Sequence, residues 1–83
     1  MREISHWLTL SGRGNAEAFQ QLYQHTSPQL YRVCLQLLDD PDKAEKVLAA
    51  GFVQVWRRSR HYDPQRDAAM PWLLRTFQRA ARQ

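Results

Sequence analysis

Residues 39–72 constrain the fold of this chain most, because they predict one long helix, a polar loop and the start of another helix. Asp39 and Asp40 can cap the long helix, and Pro41 occupies a first-turn position where its missing N–H costs no hydrogen bond. We expect this helix to run over about 41–61. Apolar residues recur along it at three- and four-residue spacing and predict one buried face, made of Ala44, Val47, Leu48, Gly51, Phe52, Val55 and Trp56.

The chain before this helix also has helical periodicity. It predicts a short helix over 2–10 and a second helix over 16–25, which Asn15 can cap. Thr26-Ser27-Pro28 predicts a break or a kink. The next helix, over 29–38, is apolar on nearly all sides, so we expect it to be the central buried helix.

The last helix is predicted from about Ala68 to the end of the chain. No stretch alternates apolar and polar residues as a half-buried strand would, and there is no Asn-Gly or Asp-Gly hairpin turn. With 83 residues, the chain is long enough for one domain with a modest core. We therefore predict an all-α fold, a compact bundle of about four helices that forms a single domain over 1–83.

Basic residues are concentrated in the last third of the chain. Up to Trp56 there are five Lys or Arg and six Asp or Glu, whereas from Arg57 onward there are seven Arg and two Asp. Arginine forks pair with phosphates and stack on bases. An apolar helix face that leads into a basic, aromatic loop therefore indicates a nucleic-acid surface, with a merely solvated face as the alternative.

The residue types that carry chemistry lack the spacing that chemistry needs. The acidic cluster at 39–42 lies at a helix start, where carboxylates cap the helix and complement its dipole. Gly12-Arg13-Gly14 lacks the preceding strand of a phosphate-binding loop. The histidines and the single cysteine are far apart and show no metal-ligand spacing: His6, His25, His61 and Cys34. We expect no enzymatic activity, no metal and no cofactor.

The expected location is the cytoplasm. A single cysteine, Cys34, excludes a disulfide framework and fits a reducing compartment. We expect no signal peptide, because residues 1–14 lack a long apolar run and a small-residue cleavage site. No stretch approaches the length that spans a bilayer, so no membrane partner is expected.

Four motifs occur in order between Ala18 and Leu74. They are AFQQLY, SPQLYRVCLQLL with the Asp-Pro that follows, A-E-x-x-L-x-x-x-F-x-x-V-W-R in the long helix, and YDP followed by PWLL. Together they resemble region two of bacterial sigma factors of the extracytoplasmic-function (ECF) class. The resemblance implies that the long helix binds the coiled-coil clamp of core RNA polymerase. It also implies that the loop and last helix capture the non-template strand of the promoter −10 element as the duplex opens.

Nucleic-acid contacts are expected from the end of the long helix, the loop and the last helix. A base taken from the stack is held on aromatic and guanidinium planes beside a basic groove. Tyr62 lies outside any apolar periodicity, and we interpret it as a base contact. Trp72 either packs the last helix onto Trp56 and Phe52, which we favour, or contacts a base. The predicted nucleic-acid-binding residues are Arg57, Arg58, Arg60, His61, Tyr62, Arg66, Arg75 and Arg79.

The long helix departs from the usual pattern at three positions. Similar factors carry an acidic residue, a Gln and a Glu where this chain has Lys46, Ala49 and Ala50. The positive charge of Lys46 would weaken attraction to a basic clamp surface. The two alanines and Val53 form a small exposed apolar strip, which fits a different partner. The predicted polymerase-binding or partner-binding residues are Asp42, Glu45, Lys46, Ala49, Ala50 and Val53.

Two hypotheses follow from these features. The first is a promoter-recognition module of an alternative sigma factor, which binds the polymerase clamp and single-stranded promoter DNA. The second is a diverged sigma-like domain that binds an anti-sigma factor or another regulatory protein without binding polymerase. The arginine-rich segment 57–82 favours the first, and the three departures in the long helix favour the second. In the last helix, Thr76-Phe77-Gln78-Arg79 also replaces the usual Ile-Ala-Arg-Asn run. We expect no region-four domain, the reader of the −35 element, in this chain.

Overall fold

Side-chain caps fix the starts of the two longest helices. The Oδ1 of Asn15 accepts a hydrogen bond from the backbone N–H of Ala18 at 2.9 Å. The Oδ1 of Asp40 accepts from the N–H groups of Asp42 at 3.0 Å and Lys43 at 3.3 Å. These N–H groups lie in the first helical turn, where no carbonyl of the helix can reach them. The capping prediction is confirmed for Asn15 and Asp40, whereas Asp39 is the C-cap residue of α2.

The computed structural model describes residues 2–82, with the backbone alone for Arg2. Over this range the chain forms α1 (Arg2–Ser11), α2 (Ala16–Leu38), α3 (Pro41–Arg58), a 3-10 turn (Ser59–His61) and α4 (Ala69–Arg82). The all-α prediction is confirmed, since no strand occurs in the described residues. The predicted bounds 1–83 include Met1 and Gln83, which lie outside them. None of the helices within 2–82 is long and apolar enough to cross a membrane.

The second helix continues through the segment where the sequence predicts an interruption. α2 includes Pro28, so the predicted break into two helices is wrong, whereas the predicted kink stays a prediction. Pro28 has no N–H to donate to the carbonyl of Gln24, but Gln24 is exposed and water can hydrate that carbonyl. The hydroxyl of the buried Thr26 donates to the carbonyl oxygen of Leu22 at 2.6 Å. Neither the carbonyl of Gln24 nor the hydroxyl of Thr26 therefore forces α2 to end.

The third helix ends earlier than predicted. α3 stops at Arg58, and the next three residues form the 3-10 turn. Ser59 is buried, and its hydroxyl donates to the carbonyl oxygen of Trp56 at 3.0 Å. The N–H of Tyr62 donates to the carbonyl oxygen of Ser59, also at 3.0 Å. These local hydrogen bonds tighten the backbone at the point where the arginines cluster.

The core lies between the four helices, and α2 packs against each of the other three. Only one stripe of α2 is buried in its second half, where Leu30 and Cys34 are inaccessible to solvent and Leu37 is half exposed. The prediction that 29–38 is buried on nearly all sides is therefore too strong. The largest buried side chains come from every helix: Leu8, Leu22, Leu30, Val55, Leu73 and Phe77.

The predicted buried face of α3 is largely correct. Its buried members are Ala44, Gly51, Phe52 and Val55, and Val47 and Leu48 are partly buried. Trp56 is the exception, since it is 40% exposed. It lies at the edge of the stripe, so part of its ring reaches solvent.

A glycine allows α3 to lie directly against α4. A Cβ placed on Gly51 would overlap the ring of Phe77, which is fully buried. The same ring packs edge-on against Phe52, with centroids 5.1 Å apart and planes inclined by 79°. Because the ring is enclosed, it has little room to move away from an added methyl group.

We predict that Gly51→Ala destabilises the protein. Helix propensity alone would stabilise it by about 1 kcal/mol, but overpacking against Phe77 costs about 1–3 kcal/mol. Urea denaturation followed by circular dichroism should therefore show a lower free energy of unfolding. The control is Ala50→Gly at the exposed neighbouring position, which measures propensity without the Phe77 contact. A more stable Gly51→Ala variant would contradict the close packing.

The buried cysteine gives a second prediction. Burial raises the pKa of the Cys34 thiol above its ordinary value, with a smaller opposing effect from a backbone hydrogen bond. The folded state thus favours the neutral thiol, so this contribution to stability is complete below the unfolded thiol pKa and is lost as pH rises through the raised pKa. We expect slow reaction with an aromatic disulfide reagent at pH 8 until denaturant is added. Stability should fall above about pH 9, and Cys34→Ala should lack this component of the fall. Fast labelling of the native protein would contradict the burial.

Candidate nucleic-acid and partner interfaces

The predicted nucleic-acid-binding residues lie on the end of α3, the 3-10 turn, the following loop and α4. Asp63 shapes the loop, because its Oδ1 accepts from the N–H of Gln65 at 2.9 Å and its carbonyl oxygen accepts from the N–H groups of Arg66 and Asp67. Seven of the eight predicted residues are exposed: Arg57, Arg58, Arg60, His61, Arg66, Arg75 and Arg79. Most of the predicted cationic surface is therefore accessible to a ligand.

Some of these arginines meet in a small hollow between the end of α3 and α4. The hollow has a volume of about 130 Å³. The Nη2 of Arg75 lies 3.0 Å from the Oδ1 of Asp67, and both side chains are partly exposed. The hydroxyl of Thr76 donates to the carbonyl oxygen of Trp72 at 3.0 Å. We call this site the arginine hollow; it is lined by Arg58, Asp67, Trp72, Arg75, Thr76 and Arg79.

The other two arginines of the cluster face a different part of the molecule. Arg57 and Arg60 border a depression of about 590 Å³ beside the turn between α1 and α2. We call this depression the turn hollow; it is lined by Ser11, Gly12, Gly14, Trp56, Arg57 and Arg60. The cluster expected from the sequence to act as one surface is thus divided between two hollows, because consecutive helix residues point in different directions.

Tyr62 is placed differently from the sequence expectation. It is 8% exposed, and its hydroxyl is hydrogen-bonded to that of Ser5, with the oxygens 2.9 Å apart. Its ring packs edge-on against Trp72 at a centroid distance of 5.6 Å. In this structure the Tyr62 ring is therefore not open to solvent, and the interpretation of Tyr62 as a base contact stays a prediction. The helical periodicity does not detect it, because it is buried from a loop.

Trp72 packs inside the bundle with part of its ring exposed, as the sequence favours, but against a different neighbour. Its aromatic partner is Tyr62, whereas Trp56 packs edge-on against Phe19 at 5.1 Å. The predicted packing of Trp72 onto Trp56 and Phe52 is not observed among the aromatic pairs of residues 2–82. Trp72, which is partly exposed, instead lines the arginine hollow.

The predicted partner-binding residues all lie on the outer face of α3. They are exposed, including the charged members near the start of the helix. Val53 is 49% exposed, so the predicted apolar strip reaches solvent as expected. The exposed set is Asp42, Glu45, Lys46, Ala49, Ala50 and Val53.

Aromatic side chains widen this strip into a groove between α2 and α3. Tyr23 is 44% exposed, and its ring lies 4.7 Å from that of Phe52. Next to the groove, Glu45 borders a depression that shares Tyr23 and Ala49 with it. We call this surface the apolar groove. It has a volume of about 530 Å³ and is lined by Ala16, Phe19, Tyr23, Ala49, Phe52, Val53 and Trp56.

Sequence reasoning missed several residues of these surfaces. Phe19 and Tyr23 are not among the predicted site residues, although their four-residue spacing matches that of Ala49 and Val53 on the facing helix. Two such stripes on adjacent helices indicate a shared groove. Asp67 was also missed, because no local pattern shows that it lies beside Arg75, eight positions later.

No cluster of three or more His, Cys, Asp or Glu side chains within 2–82 is arranged to hold a metal ion. His25, one of the isolated metal-ligand candidates, contacts neighbouring residues instead. The Nδ1 of His25 lies 2.9 Å from the carbonyl oxygen of Gln21, and its ring packs at a tilt against Trp7, with centroids 4.6 Å apart. The chemistry that these surfaces support is binding through cations, aromatic rings and apolar contacts.

Comparisons with known proteins relate the sequence of this chain to one family. The family model described as sigma-70 region 2 matches residues 22–83. The ECF RNA polymerase sigma factor SigK of Mycolicibacterium vanbaalenii is 33% identical over 79 residues, which cover 95% of this chain and 40% of that protein. The SigK proteins of Mycobacterium sp. strain KMS and Mycobacterium ulcerans are 34% and 30% identical, over 81% and 95% of this chain and 35% and 42% of their own lengths. The chain thus spans about two fifths of the length of these relatives. No solved structure gives a significant match.

Proposed function

Because the chain belongs to the sigma-70 region 2 family, we propose that it is the promoter-recognition module of an ECF-type RNA polymerase sigma factor. In this role it binds the clamp of core RNA polymerase through the outer face of α3. It also binds the non-template strand of the −10 element through the basic end of α3, the loop and α4. The relatives whose names include this function are about 30–34% identical to the chain.

The observation that carries the nucleic-acid part of the proposal is the arginine hollow. Three arginines and one aspartate line the hollow together with Trp72, which is partly exposed. Single strands bind where cations follow the phosphates and an aromatic face accepts a base. The Arg75–Asp67 ion pair holds the Arg75 guanidinium at the rim, where a phosphate can replace the carboxylate.

The polymerase part of the proposal rests on the exposed face of α3. Asp42 and Glu45 supply negative charge near the start of this face, whereas Lys46 adds a positive charge beside them. Attraction to a basic coiled coil is therefore weaker than a uniformly acidic face would give. The exposed Ala49, Ala50 and Val53 provide apolar contact that does not depend on charge.

The apolar groove favours a second candidate function. Monomeric proteins rarely leave a contiguous aromatic and aliphatic surface uncovered. The groove exposes parts of Tyr23, Val53 and Trp56 together. This surface suits the apolar face of a partner helix. A regulatory protein such as an anti-sigma factor is the corresponding partner in the diverged-domain hypothesis.

We predict opposite effects from two substitutions in the arginine hollow. Arg75→Ala should weaken binding of a single-stranded non-template −10 oligonucleotide about fivefold. It should also reduce the slope of log K against log salt by about 0.7, as expected for one lost phosphate contact. Asp67→Asn frees Arg75 from its carboxylate and should tighten binding about twofold. Fluorescence anisotropy at several salt concentrations measures both effects.

The control for these variants is Arg32→Ala. Arg32 is an exposed arginine on α2 and lines neither hollow, so its loss changes the net charge equally. Equal losses for Arg32→Ala and Arg75→Ala would show non-specific attraction to the whole protein. That result would overturn the assignment of the arginine hollow.

We predict that the isolated clamp coiled coil of a bacterial polymerase binds this chain saturably. Glu45→Lys should weaken that binding at least about tenfold, because it places a second positive charge beside Lys46. The matched control is Glu3→Lys on α1, an exposed charge reversal away from α3. Isothermal titration calorimetry gives both affinities.

The triple change Lys46→Asp, Ala49→Gln and Ala50→Glu distinguishes the two candidate functions. Lower clamp affinity in the triple variant would mean that the present residues form the working interface. Binding that appears only in the triple variant would mean that the face has drifted from polymerase. Absence of binding by the original chain at high micromolar concentration would sink the polymerase part of the proposal and leave the protein-partner function.

A further inference from the structure

The N-terminal helix contacts the segment that carries the nucleic-acid residues, although α1 has no predicted role in binding. α1 packs against the 3-10 turn and α4 as well as against α2. Two of its contacts with this segment are specific enough to be tested. One is a hydrogen bond near the start of α1, and the other is a backbone contact just after its end.

The first contact joins Ser5 to the loop. The hydroxyl oxygens of Ser5 and Tyr62 are 2.9 Å apart across 57 positions of sequence. Tyr62 is nearly buried, and its ring packs edge-on against Trp72. Trp72 in turn forms a wall of the arginine hollow. Ser5 is therefore connected through Tyr62 to Trp72.

The second contact joins the turn after α1 to the 3-10 turn. A Cβ on Gly12 would lie 2.5 Å from the carbonyl oxygen of Ser59 and 2.9 Å from the Cα of Arg60. Both neighbours are backbone atoms, so they cannot move aside by a side-chain rotation. Only glycine permits the two backbones to lie this close. The contact fixes the position of the 3-10 turn, which carries Arg60 and His61, relative to the turn after α1.

We propose that α1 and the turn after it position the strand-binding segment, with Ser5 and Gly12 as positioning residues. This inference rests on the proposed function of single-strand binding. Ser5 sets the orientation of Trp72 through Tyr62, and Gly12 sets the 3-10 turn beside the turn hollow. Neither residue supplies charge, so each acts on geometry alone.

Single-strand binding of Ser5 variants tests the first contact. Ser5→Ala should weaken binding of the −10 oligonucleotide about threefold and leave the salt slope unchanged, because no phosphate contact is lost. Tyr62→Phe should give a similar loss, and the double variant should lose no more than either single one, since both remove the same hydrogen bond. Ser5→Thr keeps a hydroxyl and should restore binding.

The matched control is Thr9→Ala. Its hydroxyl donates to the carbonyl oxygen of Ser5 at 2.9 Å, inside α1. This variant also removes a hydroxyl hydrogen bond from the same helix but does not break the contact with Tyr62. It should bind the oligonucleotide as the original chain does. Equal losses in Thr9→Ala and Ser5→Ala, or additive losses in the double variant, would overturn the proposal.

A measurement without DNA separates this inference from the proposed function. In a background with Trp7→Phe and Trp56→Phe, Trp72 is the single tryptophan. Ser5→Ala should increase iodide quenching of its fluorescence, and Thr9→Ala should not. Unchanged quenching in Ser5→Ala would overturn the positioning role whether or not the strand binds. Increased quenching together with no strand binding by the original chain would leave the contact established and the proposed function wrong.

Gly12→Ala tests the second contact. We expect a loss of oligonucleotide binding larger than that of Ser5→Ala, with faster amide exchange at residues 59–62. Retained binding and unchanged exchange in this variant would remove the backbone contact from the proposal. If Gly12→Ala does not fold, the Ser5 variants alone decide whether the proposal stands.

Discussion

The geometry of the candidate site depends on the contact between Gly51 and Phe77. The fully buried Phe77 ring occupies the space that any larger residue at position 51 would need. This contact brings α4 close to α3 and sets the side chains of Arg75 and Arg79 opposite Arg58. α3 and α4 both carry cations that repel each other at the arginine hollow. The apolar contact between Gly51 and Phe77 holds the two helices together despite this repulsion. The Arg75–Asp67 pair offsets part of that repulsion at the rim.

α3 combines three environments along one helix. Its inner face contributes Ala44, Phe52 and Val55 to the core, and its outer face leaves small apolar and charged residues in solvent. Its C-terminal end carries arginines, which the helix dipole favours there. A single rigid element can therefore present different chemistry to a protein and to a nucleic acid. This arrangement is consistent with membership of the sigma-70 region 2 family.

The sequence predicted the helices well where local signals decide them. Asn15 and Asp40 cap as expected, since a cap depends only on neighbouring residues. At Pro28 the local signal failed, because packing of α2 against the other helices outweighs one missing hydrogen bond. The sequence predicted that the arginines lie on the surface, but it did not predict their division into two hollows. That division depends on the approach of α1 and α4, which no short pattern encodes. The burial of Tyr62 has the same origin, because its hydroxyl partner lies 57 positions away.

Trp56 belongs to two surfaces at once. Its ring borders both the apolar groove and the turn hollow. Any coupling between a ligand in the groove and a ligand in the turn hollow would act through this shared residue, and its free energy would be the same whichever ligand binds first.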